Sequence, residues 1–265
     1  MGVIEPDNTS VKALKGLHLY HTGRSNCSAR VRLLILEKRL PWVSHHIDLY
    51  SRANISAEYF GINPKGVVPT LVHDGRVVVE SNDILSYIEE QFPQPCFTPA
   101  IPENVQVMNN WLKRSGDIHI PGIKTYAYAR VNAALVVKTP EEVARYRELQ
   151  KDPELLAFHA KHDLPGSSFS DQDVNDAAAL LTEALTDMEK AITSDGWLAG
   201  AAYSLADISW APTYATLSRA GFPLEEFPQI TQWYERILRR DAAQRALSDW
   251  FTQPRMDVVE MAAGV

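Results

Sequence analysis

The strongest constraint on the fold is a change of hydrophobic pattern across a proline-rich segment. Residues 92–103, FPQPCFTPAIPE, hold four prolines in a short polar stretch, which is typical of a linker. The chain before it mixes strand-like and helix-like patterns, whereas residues 104–250 carry long stretches with apolar residues at helical spacing. A chain of 265 residues can form two cores of unequal size. We therefore predict a mixed domain at 15–92, a linker at 93–103 and an all-helical domain at 104–255.

The mixed domain has the strand and helix order of a thioredoxin-like fold. A strand, a helix and a second strand are predicted at 17–21, 28–39 and 42–49. Two short strands follow, joined by Asp74-Gly75, a dipeptide suited to a tight hairpin turn. A further helix is predicted at 81–91. This order predicts an α+β domain whose last two strands are antiparallel to each other.

Composition and charge limit the classes of function. The formal net charge of -7 disfavours nucleic acid as a partner, because nucleic-acid binders cluster Lys and Arg on one surface. The sequence shows neither the apolar run of a signal peptide nor a stretch that could span a membrane, so we expect a cytoplasmic protein with no membrane partner. Cys27 and Cys96 lie in different local contexts, and each is expected to be a free thiol.

The turn that enters the first helix carries the first candidate chemistry. Ser25, Asn26, Cys27 and Ser28 lie together in the segment TGRSNCSARVR. Free amides and the macrodipole at a helix N-terminus favour a thiolate over a thiol, and a hydroxyl donor such as that of Ser25 adds a charge-assisted hydrogen bond. The segment therefore predicts a site that activates a thiol. That thiol can belong to the protein or to a ligand.

A second group of residues predicts a site for a small peptide. Pro69 in VVPT is a candidate cis proline, and the backbone of Val68 before it would then be exposed to pair with a peptide-like ligand. Glu80 and Ser81 open the next helix, where Ser81 can cap the helix and offer its amide to a carboxylate, and Glu80 can meet an ammonium. Together these features suit a ligand with an amine, a carboxylate and a thiol.

Four separated motifs, SNCSARVR, NPKGVVPTL, VVVESNDILSYIEE and SLADISW, resemble those of the soluble glutathione transferases. The first motif is most similar to the zeta-like branch, which contains maleylacetoacetate isomerases and reductive dehalogenases of chlorinated hydroquinones. Asn26 stands where that branch usually has a second serine. The long helical domain also resembles those of dehalogenases and of bacterial transferases that cleave β-aryl ethers. The resemblance implies glutathione as co-substrate and a dimer, either with itself or with a paralogue.

The resemblance also implies roles for individual residues. Ser25 matches the hydroxyl that supports the glutathione thiolate, and Cys27 matches the cysteine that resolves a glutathionyl intermediate in the dehalogenases. The ligand backbone would pair at Val68 and Pro69, and the γ-glutamyl group would bind at Glu80 and Ser81. The glycyl carboxylate is left with three candidate partners: Lys65, His46 and Arg52.

These roles predict an enzyme in which a glutathione thiolate attacks a hydrophobic, aromatic-derived electrophile held by the helical domain. The reaction is either β-aryl ether cleavage or reductive dehalogenation. One alternative is isomerisation of maleylacetoacetate or maleylpyruvate with glutathione as a cofactor. Others are a redox enzyme in which Cys27 is the nucleophile and a non-catalytic binding or subunit module of the same fold.

The remaining polar residues receive structural roles at this stage. The eight histidines are scattered, and the pairs His45-His46 and His159 with His162 lack a matching set of Cys or carboxylate ligands, so no metal site is predicted. A tyrosine in the 126–128 region could donate a proton to a leaving phenolate. Ser204 and Asp207 have capping-box spacing and are expected only to begin a helix.

Overall fold

The computed structural model describes residues 2–132, 137–192 and 196–252. Its N-terminal part contains one five-stranded sheet in the order β1-β5-β4-β2-β3. Strands β2 and β3 are parallel, and the other neighbouring pairs are antiparallel. The strands are β1 (Val3–Ile4), β2 (Leu17–His21), β3 (Trp42–His46), β4 (Thr70–His73) and β5 (Arg76–Val78).

Three helices belong to this sheet: α1 (Asn26–Glu37), α2 (Ala57–Phe60) and α3 (Ser81–Gln91). The predicted thioredoxin-like order is confirmed, and Asp74 and Gly75 form the β4–β5 turn with positive φ angles of 50° and 81°. Strand β1 was not predicted, since two residues are too few to show alternation. It pairs with β5 and lengthens the sheet at that edge.

The rest of the described chain is helical, as predicted. It begins with α4 (Pro102–Asp117), which passes into a π-helical segment at His119–Lys124 and then into α5 (Thr125–Ala127) and a second π-helical segment at Tyr128–Asn132. No described helix is long and apolar enough to cross a membrane. The remaining α-helices are α6 (Pro140–Leu149), α7 (Pro153–Ala160), α8 (Asp171–Ala191), α9 (Leu205–Arg219), α10 (Pro228–Leu238), α11 (Asp241–Ala243) and α12 (Asp249–Thr252).

Helix α1 lies between the sheet and the helical domain, and this position explains why it is buried on almost every side. Leu33 and Leu34 are fully buried, and so are the side chains of Arg30 and Arg32. The Arg32 guanidinium donates hydrogen bonds to the carbonyls of Thr22 and Gly23 in the turn before α1, and to that of Ala246 in the helical domain. One buried side chain therefore fixes the turn before α1 and joins it to the C-terminal helices.

The start of α9 is fixed by a buried carboxylate. Asp207 is fully buried and accepts hydrogen bonds from the amide and the hydroxyl of Ser204, both at 2.9 Å. It also accepts from the Leu198 amide at 3.0 Å and from the indole of Trp233 at 2.8 Å. The predicted capping residues thus also hold two neighbouring segments against α9.

Candidate active site

A cavity of about 320 Å³ lies between the edge of the sheet domain and the helical domain. The turn before α1, the loops around β3 and β4 and the N-terminus of α3 form one side, and the π-helical segments with α7 form the other. Its lining includes the following residues that were predicted from the sequence: Ser25, Asn26, Cys27, His46, Arg52, Lys65, Val68, Pro69, Glu80, Ser81 and Tyr128.

Ser25 caps helix α1 and still has a proton to donate. Its hydroxyl oxygen accepts a hydrogen bond of 3.1 Å from the amide of Ser28. A hydroxyl can accept and donate at the same time, so capping leaves the O–H free to point into the cavity. The structural and chemical interpretations of Ser25 are therefore compatible.

Cys27 lies in the first turn of α1, half-buried in the cavity wall, and faces a histidine from the helical domain. Its sulfur is 3.4 Å from Nε2 of His119 and 3.8 Å from Nδ1 of the same ring. His119 begins the π-helical segment that follows α4. The two residues are 92 positions apart in sequence, and the packing of the two domains brings them together.

The surroundings of Cys27 favour the thiolate. Burial by itself raises the pKa of the thiol, but the charges of His119 and Arg30 and hydrogen bonds from His119 and Ser81 outweigh it and lower the pKa to about 6. Arg30 is fully buried and donates to the Ser81 hydroxyl at 3.2 Å. A thiol with that pKa is roughly nine-tenths ionised at pH 7, whereas an ordinary thiol is a few per cent ionised.

The other two predicted members of this turn are held by the fold. Asn26 lines the cavity, but its amide nitrogen donates to the hydroxyls of Thr213 and Thr216 on α9, at 3.2 and 3.4 Å. Ser28 is fully buried, and its hydroxyl accepts from the Thr22 amide. Ser28, the fourth candidate catalytic residue of this turn, lies outside the cavity lining, because its side chain is on the inner face of α1.

The segment before β4 offers unpaired backbone to the cavity. The Val68–Pro69 peptide is cis, as predicted. Among the described residues, no hydrogen bond reaches the amide or the carbonyl of Val68. Buried backbone groups in proteins are nearly always hydrogen-bonded. An amide and a carbonyl without a partner at a cavity wall therefore suit a ligand with a peptide backbone.

The N-terminus of α3 is also open to the cavity. Ser81 is the first residue of α3 and Glu80 occupies the cap position without a capping hydrogen bond, so the prediction that Ser81 caps the helix is wrong. The uncapped amides suit a carboxylate. Glu80 pairs with Lys65 at 2.7 Å, and Lys65 also lies 3.7 Å from Asp152. These features suit a ligand that carries an amine and a carboxylate.

Arg52 and His46, the other two candidate partners of the glycyl carboxylate, also line the cavity. The Arg52 guanidinium donates to the carbonyls of Leu49 and Val137, and His46 lies 3.4 Å from the Thr22 hydroxyl. Of the two tyrosines considered as proton donors, Tyr128 lines the cavity and Tyr126 does not. Burial raises the pKa of Tyr128 to about 12, so it remains protonated.

A cluster of ionisable groups includes His159, which lines the cavity, and two buried neighbours. Ligand atoms of His159, His162 and Asp163 lie within 4.8 Å of one another, in an arrangement that could hold a metal ion. The prediction that these histidines lack a carboxylate is therefore wrong. Lys138 contacts the same Asp163 oxygen, so its ammonium already provides a cation for this carboxylate.

The sequence analysis gave no role to His119 or Lys124, although both line the cavity. His119 was counted among scattered histidines, because nothing local in the sequence marks it as a partner of Cys27. Lys124, one helical turn later, lines the cavity although it follows an apolar stretch.

Family comparisons agree with this geometry. The model of the glutathione S-transferase N-terminal domain matches residues 19–96, and that of the C-terminal domain matches residues 143–236, so that together they cover more than half of the chain. The tetrachloro-p-hydroquinone reductive dehalogenase of Sphingobium chlorophenolicum is 28% identical over 88% of this chain and 96% of its own. Maleylacetoacetate isomerase maiA of Aspergillus fumigatus is 26% identical over 94% of each chain.

Solved structures show the same architecture. The β-etherase LigF of Sphingobium sp. strain SYK-6 superposes with a TM-score of 0.77 at 24% identity, over 88% of this chain and 99% of LigF. The two matched domain models, the thioredoxin-like sheet with its helical partner and the relatives over nearly the whole chain all point to one assignment. The chain belongs to the glutathione S-transferase family.

Proposed function

We propose that this protein is a glutathione-dependent enzyme that carries out reductive displacement on an aromatic-derived electrophile, with Cys27 as a resolving thiol. The observation that carries the proposal is the contact of the Cys27 sulfur with His119 at 3.4 Å in the wall of the cavity. An acidified thiol that lines a substrate cavity is placed for thiol exchange. Family membership supports glutathione as the co-substrate, and the reductive dehalogenase among the relatives supports the reaction class.

The chain's own groups divide the work as follows. The Ser25 hydroxyl stabilises a thiolate at the N-terminus of α1, and the uncapped N-terminus of α3 with the Val68 backbone positions the peptide part of glutathione. Glutathione supplies the thiol that displaces the leaving group. The Cys27 thiolate then attacks the sulfur of the resulting thioether, forming a mixed disulfide while the carbon that loses sulfur takes a proton.

A second thiol must release Cys27 from that mixed disulfide. A second glutathione thiolate attacks it, so that glutathione disulfide leaves and the Cys27 thiolate is restored. The two thiols together lose two electrons, and the substrate carbon gains them in exchanging its leaving group for hydrogen. Isomerisation of a maleyl substrate would need no such protein thiolate, and the Cys27–His119 contact therefore favours displacement.

β-Aryl ether cleavage is a second candidate, and Tyr128 favours it. Tyr128 lines the cavity, and its hydroxyl remains protonated because burial raises its pKa to about 12. It can donate a proton to a phenolate that leaves from an ether carbon. The fold similarity to the β-etherase LigF is consistent with this candidate. In ether cleavage the glutathione thioether is the final product, so Cys27 has no step to perform.

Products formed from three substrates test the proposal. The purified protein is incubated with glutathione and a chlorinated hydroquinone, a β-aryl ether or maleylpyruvate, and the products are separated by chromatography. We expect halide release with formation of glutathione disulfide. Release of a phenol with a stable thioether would support ether cleavage instead. Isomerised acid without consumption of glutathione, or no turnover at all, would contradict both candidates.

Replacing Cys27 with serine is expected to stop the reaction at a glutathionylated aromatic product, because displacement does not need this thiol but resolution does. The exposed Cys96 provides the matched control, and Cys96→Ser is expected to behave as the wild type. Mass spectrometry of the product identifies the thioether. Loss of all activity in Cys27→Ser would instead indicate that Cys27 is the primary nucleophile of a redox enzyme.

We also propose that the protein dimerises, as its family resemblance implies. Sedimentation of the purified chain is expected to give twice the monomer mass.

A further inference from the structure

Lys124 lines the cavity and forms no ion pair with a carboxylate of the described residues. It is the last residue of the π-helical segment His119–Lys124, and it is half-buried. Its ammonium lies 4.4 Å from the ring centroid of Phe158 and 5.4 Å from that of Tyr128. Within the described ranges, no carboxylate oxygen lies within ion-pair distance of it. Two aromatic faces thus cover one side of the cation, while the residue faces the cavity.

The other two lysines of the cavity wall are neutralised. Lys65 pairs with Glu80, and Lys138 contacts Asp163. Each of these ammonium groups therefore already has an anion. Lys124 lines the same wall but forms no ion pair of this kind with the described residues.

Burial lowers the pKa of Lys124 to about 8, so most of the side chain still carries its charge at neutral pH. Aromatic contacts compensate only a part of the hydration that an ammonium loses. A partly desolvated cation without a carboxylate at ion-pair distance gains from an anion that arrives with a ligand.

Nearby anions offset only part of this desolvation. The charges of the Cys27 thiolate, Asp163 and Glu154 raise the pKa of Lys124, but burial outweighs them. The thiolate itself is stabilised by the charges of His119 and Arg30 and by hydrogen bonds from His119 and Ser81. An anionic ligand would therefore give Lys124 a direct contact that no described carboxylate provides.

We infer that Lys124 binds an anionic group of the electrophile, so that the second substrate is an aromatic carboxylate or phenolate rather than a neutral apolar molecule. Lys124 and Tyr128 both line the cavity, and an ammonium beside an aromatic ring suits a ligand ring that bears a negative charge. The inference rests on the proposed function only in taking this cavity as the electrophile site.

Equilibrium binding tests the inference without any need for turnover. Calorimetry compares two matched pairs of unreactive probes: nitrobenzoate with nitrobenzamide, and dinitrophenolate with dinitrotoluene. We expect at least one anion to bind about tenfold more tightly than its neutral partner, as a charge-assisted contact implies. The pair that shows the preference distinguishes a carboxylate substrate from a phenolate.

Lys124→Met is expected to abolish the preference, and Lys124→Arg to retain part of it. Lys161→Met is the matched control, because Lys161 lies outside the cavity lining and pairs with Asp173. Equal affinities within both pairs for the wild type, or a preference that persists in Lys124→Met, would overturn the inference.

Binding and turnover can fail separately. Selective binding of an anion in a protein that consumes no electrophile would contradict the proposed function and leave Lys124 as an anion site. Turnover of a neutral electrophile without any preference among the probes would support the proposed function and contradict the anion site at Lys124.

Discussion

His119→Ala is expected to move the ionisation of Cys27 up by at least one pH unit from its value of about 6. The substitution removes both a charge and a hydrogen bond that favour the thiolate, while burial, which raises the pKa, remains. Arg30 and Ser81 stay in place, so we expect the pKa to remain below that of a free thiol. The pH at half-maximal rate of alkylation by iodoacetamide measures the shift.

The midpoint of that profile is a better measure than the rate at one pH. A more basic thiolate is intrinsically more nucleophilic, and this partly offsets the smaller ionised fraction. All proteins in this experiment carry Cys96→Ser, so that Cys27 is the cysteine that is alkylated. His73→Ala is the control, because His73 bonds to Tyr87 away from the cavity and its loss should leave the midpoint unchanged. An unchanged midpoint in His119→Ala would refute the role assigned to His119.

The sequence was sufficient for the thioredoxin-like order because its signals are local. Alternation at 17–21, helical spacing after the first turn and the Asp74-Gly75 turn each depend on a few adjacent residues. The boundaries of α3 agree with the prediction at both ends, since an extended segment precedes it and prolines follow. Strand β1 escaped prediction because two residues carry no period.

The site could be predicted only where its residues belong to one segment. Ser25 and Cys27 lie on the same helix start, so their proximity follows from the helix alone. The contact between Cys27 and His119 depends on how α1 packs against the chain after α4, and no spacing in the sequence expresses that. The burial of Ser28 similarly depends on which face of α1 meets the core.

The charge of the cavity wall could not be predicted from the sequence for the same reason. From the sequence, the pocket was expected to accept a hydrophobic aromatic molecule. The folded chain places several basic side chains in the wall: Arg24, Arg52, Lys65, Lys124, Lys138 and Arg219. They come from separate parts of the chain, and their convergence is a property of the fold. Which of them lacks a carboxylate partner can be read only from the structure.

The second large effect is expected on stability. Asp207→Ala should lower the free energy of unfolding by about 4 kcal/mol, because a buried donor left unpaired costs about 1–3 kcal/mol. Asp207 is fully buried and its carboxylate accepts four hydrogen bonds, from Leu198, Trp233 and both donors of Ser204. Urea denaturation followed by far-UV circular dichroism measures the loss.

Asp173 provides the matched control, since it occupies the same capping-box position on α8 with Ser170 but lies at the surface. Asp173→Ala should cost only about 1 kcal/mol, the usual value of a helix cap. The loss of stability for Asp207→Asn should fall between these two values. The amide keeps one oxygen that accepts hydrogen bonds, but an NH₂ group, which only donates, replaces the other oxygen and faces the same donors. Similar losses for Asp207→Ala and Asp173→Ala would show that Asp207 acts only as a helix cap. A loss near 4 kcal/mol at Asp207 alone would show that the carboxylate also joins α9 to the segments of Leu198 and Trp233.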